Sequence, residues 1–160
     1  LSLPIFQWLC GKNVELIWLN DNVASLMVTP QVALPALMHE HQLLALLQLQ
    51  PSSTAVSASV AALQLPLPIH LTPDEALLQQ LAQLLPQALS FAAQQLQLGH
   101  KLLLTAADAG LLGVMMAELL ASDGAAPVHA VAQVRSMYDA AFADDGWDQF
   151  VFDVLYRLQG

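Results

Sequence analysis

Thr105 and Asp108 flank a stretch in which an apparent strand runs straight into a helix. Residues 101–105 (KLLLT) form a short apolar run opened by the turn signal Gly99-His100. From Leu111 onward, Leu112, Met115, Met116, Leu119 and Leu120 recur at helical spacing, with Gly113 among them. Ala106, Ala107, Asp108, Ala109 and Gly110 lie between the two. A strand that feeds a helix turns backbone N–H groups toward the connecting loop, a place where α/β enzymes bind anions. A hydroxyl nucleophile at Thr105 would need a base within reach, and His70 and His100, each at a strand end, are the candidates. The loop itself holds no cation, and Asp108 sets a negative charge where an anion would bind.

The remaining reactive side chains have simpler explanations. His39-Glu40-His41 are metal-ligating types, but residues two apart do not share a helix face, and no third ligand follows in sequence. Cys10 has no cation or helix start beside it and reads as a small buried hydrophobe. Asp144, Asp145 and Asp148 lack the spacing of a calcium loop and suit the start of a helix. In Thr72-Pro73-Asp74-Glu75 the sequence predicts a capping box, with Thr72 as the cap and Pro73 at the first helical position. No metal or cofactor is expected.

Alternating strands and helices position these residues. Residues 1–11 read as an arm. Residues 13–19 and 23–28 read as a hairpin joined by Asn20-Asp21-Asn22. A helix over 31–42, a buried strand over 43–49, a short helix over 54–63 and a strand over 67–71 follow. Residues 74–98 are helical in pattern with a kink or break at Pro86. The strand 101–105 and the helix 111–121 come next, then a helix over 128–142 and a last helix within 144–160. This order predicts a single α/β domain over 1–160, three-layered, with a mostly parallel sheet of about five strands and helices on both faces.

Composition narrows function further. Hydrophobic residues make up 56% of the 160 and charged residues only 11%, so the chain must bury much of its surface, in its own core or against a partner. A net charge of −9 with four Lys and Arg provides no basic footprint for nucleic acid or anionic lipid. The apolar stretch 102–121 is interrupted by Asp108 and Glu118, which argues against a membrane span. No basic segment precedes an apolar leader, and one cysteine builds no internal disulfide, so a cytoplasmic protein is expected. A homo-oligomer or a protein partner is expected to cover the remaining apolar surface, with the last helix and residues 1–9 as contacts.

From Val23 to Met137 the order of elements resembles that of the cysteine-dependent dual-specificity phosphatases. Residues 23–29 are similar to a family strand that precedes a helix, and 43–50 (LLALLQLQ) to the strand that comes next. Residues 67–71 and the helix from Pro73 are similar to the next pair. Residues 99–106 (GHKLLLTA) stand where the family has the strand leading into its HCxxGxxR motif, and 111–121 and 128–137 match its following helices. The resemblance implies the family's fold. It places Asp74 and Glu75 roughly at the general-acid loop, where capping also explains them. It does not bring the catalytic residues. With Thr105-Ala106 in the His-Cys places, the Arg place falls on Leu112; with Gly110 as the motif glycine, Ala107 takes the Cys place and Gly113 the Arg place. A thiolate and a bidentate guanidinium are what that chemistry requires. The resemblance therefore implies a catalytically inactive domain that works by binding. An enzyme of other chemistry at the 105–112 loop, or a degenerate rhodanese-like domain, are the alternatives.

Overall fold

The computed structural model describes residues 16–27, 34–50, 60–68, 71–142 and 146–159. Its centre is strand β5, Lys101–Ala106, whose run of leucines is buried from Leu102 onward. Such a strand lacks alternation because both its faces are covered. The five strands lie in the order β1-β2-β5-β3-β4. Strand β1 (Ile17–Trp18) pairs antiparallel with β2 (Val23–Met27), and the Asn20 carbonyl oxygen Oδ1 fastens the turn by accepting from the Asn22 and Val23 amides. Strands β3 (Leu43–Gln48) and β4 (Ala61–Gln64) complete the parallel part, with β5 between β2 and β3.

Alternation along β5 sorts the core into two layers. Leu102, Leu104 and Ala106 join the large cluster under four α-helices and a 3-10 turn, whereas Leu103 joins a smaller one with Leu34, Leu37 and Met38 of α1 (Leu34–Glu40). The larger layer holds α2 (Glu75–Gln97), α3 (Ala109–Ser122), α4 (Pro127–Met137), the 3-10 turn Asp139–Phe142 and α5 (Trp147–Gln159). Helix α3 is wedged in its middle, and every residue from Gly110 to Glu118 is buried. A helix covered all round needs no polar face, which accounts for the apolar stretch without a membrane. Among the described residues no helix is long and apolar enough to cross one.

Several elements differ from the sequence expectation. Residues 61–63, expected in a helix, belong to β4, and Leu67, Pro68 and Leu71, expected in a strand, are in none. Pro66 and Pro68 have no N–H for a ladder, so pairing ends with the Leu65 amide donating to the Gln48 carbonyl at 2.8 Å. Helix α2 starts two residues past its expected first position, Pro73: Asp74, not Thr72, is the cap and accepts from the Leu77 amide at 2.9 Å. It also runs unbroken through Pro86, which is exposed, so the lost N–H lies on the water side while Leu81, Leu85 and Ala88 hold the buried side. The expected helix 128–142 ends at Met137. Tyr138 turns extended, and the 3-10 turn then lays Ala141 and Phe142 on α3.

Candidate functional site

Only Ala107 and Asp108 separate β5 from α3. The helix N-terminus that an anion would use is already occupied from within. The Asp108 carboxylate caps α3, its Oδ1 accepting from the Gly110 amide at 2.8 Å and the Leu111 amide at 3.2 Å. The Leu112 amide donates to the Asp108 carbonyl at 3.0 Å. The Ala107 amide donates to Gln50 Oε1 at 2.7 Å, and the Gln50 Nε2 donates to the Pro68 carbonyl at 2.7 Å. Gln50 is itself buried, and so acts as a clamp from the end of β3 onto the turn. An oxyanion at this turn would have to displace one carboxylate oxygen and one amide oxygen, both of which arrive preorganised.

Neither residue in the Arg places can reach the turn. Leu112 is fully buried, and Met116, one helical turn on, lies against β2, its Sδ accepting from Ser25 Oγ at 3.6 Å. That face of α3 looks at the sheet. At Gly113 a Cβ would stand 2.6 Å from the Ala141 Cβ and 3.0 Å from the Phe142 ring, closer than side chains approach. At Gly110 a Cβ would collide with the indole of Trp147. The glycines are thus sites of close packing against the 3-10 turn and α5.

The other candidates lie elsewhere or are engaged. His100 is not near the turn: it precedes the opposite end of β5, roughly 17 Å from Thr105 at about 3.3 Å per residue, and its Nδ1 lies 2.7 Å from Gln95 Oε1. His70, Cys10, Asp144 and Asp145 fall outside the described residues, as does the arm 1–11. Thr105 is buried and in register with Leu26 and Gln48, whose Nε2 is buried with no hydrogen-bond partner. An amide beside a hydroxyl provides no base. Asp74 caps α2, and Glu75 Oε1 stands 3.6 Å from Arg157. Asp148 stands in the first turn of α5, where a carboxylate suits the helix dipole. His39 and Glu40 are exposed, and His41 meets Trp18 edge-on at 6.2 Å. No three His, Cys, Asp or Glu among the described residues are grouped to hold a metal ion.

Electrostatics at the turn are negative. Burial and the charges of Asp108 and Asp139 together push the Tyr138 phenol above its ordinary pKa. Gln50 and Tyr138 escaped the sequence reading because nothing in their spacing ties them to residues 105–112.

Similarity to known proteins enters through shape. No protein-family model matches the sequence, and no curated protein sequence matches it. Solved structures do. Human DUSP28 aligns over 91% of this chain and 95% of its own at a TM-score of 0.68 and 15% identity. Tk-PTP in its active form aligns over 89% and 97% at 0.65 and 17%. The human tyrosine phosphatase-like serine/threonine/tyrosine-interacting protein aligns over 91% and 98% at 0.64 and 13%. The fold is that of the dual-specificity phosphatases.

Proposed function

We propose that this chain is a catalytically silent phosphatase-like domain that acts by binding a protein, a second copy of itself included. The observation that carries the reading is the turn after β5. Its amides at Ala107, Gly110 and Leu111 are engaged by Gln50 and Asp108, and no thiol or cation stands among residues 105–113. Phosphoryl transfer by this fold's chemistry needs a thiolate for attack and a guanidinium for the equatorial oxygens. One structural neighbour is itself described as a phosphatase-like interacting protein, which is compatible with a binding role on this fold. Low charge and high apolar content favour buried interfaces.

Assay of the purified chain on a generic aryl phosphate tests the reading. No turnover above the blank is expected from the wild type. Ala106→Cys and Ala107→Cys alone are expected to restore none, because Leu112 and Gly113 still stand in the Arg places. Wild-type turnover would overturn it.

A further inference from the structure

The end of β5 away from the Ala107–Asp108 turn carries a second group of polar and aromatic side chains. There the Leu102 amide donates to the Asn22 carbonyl at 2.8 Å, which holds the β1–β2 turn against the start of β5. Trp18, Asn20, Asp21 and Lys101 line an open cleft of about 410 Å³ at this junction, a size that admits a small molecule. The Lys101 Nζ stands 5.9 Å from the centroid of the Trp18 ring, and His41 meets the same indole edge-on. These two contacts steady the ring, which remains 36% exposed. The Asn20 Oδ1 is taken up by the Asn22 and Val23 amides, which leaves its Nδ2 as a donor. Among the described residues the ion pair is Arg157 with Glu75, so Lys101 and Asp21 line one cleft without pairing.

We propose that this cleft binds a zwitterion of the α-amino acid class that carries an aromatic side chain. Its carboxylate meets Lys101 and the Asn20 Nδ2, its ammonium meets Asp21, and its ring lies on the exposed part of Trp18. The two charges select this class. A plain anion would meet Asp21 and a chain of net charge −9, and a plain cation would meet Lys101. A zwitterion satisfies both, through charge-assisted hydrogen bonds at each end. The aromatic part follows from distance. A carboxylate held by an ammonium 5.9 Å from the indole centroid keeps its substituent within reach of that ring. The inference goes beyond the protein-binding reading above and does not rest on it.

The Trp18 indole N–H resonance of the full chain, followed during titration with L-phenylalanine, tests it. The resonance should shift saturably with a dissociation constant of about a millimolar, the strength a small ligand reaches in an open cleft. 3-Phenylpropionate lacks the ammonium and phenethylamine lacks the carboxylate, so each should bind weaker by about tenfold or more. Lys101→Met should weaken phenylalanine by about tenfold. Asp21→Asn should do the same, yet bind 3-phenylpropionate no more weakly than the wild type does. A loss due to misfolding would not spare that ligand. The inference is overturned by any of three results: no saturable shift up to about 10 mM, an analogue as tight as phenylalanine, or a variant that binds phenylalanine as the wild type does. Each leaves the silence of the β5–α3 turn standing, because that is read by the phosphate assay.

Discussion

At the level of single residues, the carboxylate that caps α3 and the one inside it do opposite things. Asp108 is used: it satisfies amides that a helix start otherwise leaves open. Asp108→Ala should therefore lower stability by about 1 kcal/mol, read from urea unfolding, and should yield no phosphatase activity. Glu118 is buried with Oε1 unpaired, and burial raises its pKa from 4.5 to about 7. The folded chain thus holds that proton where the unfolded chain has released it. The associated stability is present below about pH 4.5 and is lost as the pH rises through about 7. Glu118→Gln should remove this dependence. Its gain over wild type should be small near pH 5 and about 1–2 kcal/mol near pH 8, once solvent screening is allowed for. A gain independent of pH would show that Glu118 ionises normally. The sequence named Asp108 as a negative charge in the turn but gave no sign that it serves as the turn's own ligand. That depends on where α3 begins, and the helical periodicity started at Leu111 while the helix starts at Ala109.

The elements were read best where one physical demand dominates. Strand β5 and helix α3 are apolar segments buried from Leu102 to Ala106 and from Gly110 to Glu118, too apolar for a surface element. The hairpin of β1 and β2 followed from its Asn-rich turn. Strand β4 was misplaced because both 61–64 and 67–71 contain apolar residues, and the decision rests on which backbone N–H groups reach β3. The break at Tyr138 was hidden because its cause lies in another element, the bare backbone of Gly113. That contact makes a prediction. Gly113→Arg should destabilise the chain by more than about 3 kcal/mol, because Ala141 and Phe142 must both move. Denaturant midpoints would register it, and a variant as stable as wild type would mean that α3 and the 3-10 turn are loosely packed.

For the whole molecule, composition set the architecture more firmly than the activity. A chain that is 56% hydrophobic and 11% charged has to enclose a central sheet between helical layers, and it does so with five strands among the described residues and an α3 buried from Gly110 to Glu118. The proposed silence rests on the same packing: Leu112 faces the sheet, Gly113 faces the 3-10 turn, and the Ala107, Gly110 and Leu111 amides have acceptors within the chain. Amide NMR of the full chain during titration with orthovanadate measures this directly. The resonances of Ala107, Gly110 and Leu111 are expected to stay in place up to millimolar vanadate, roughly the weak limit of specific binding. Saturable shifts confined to those three amides would contradict a self-occupied turn and return the chain to the enzymes.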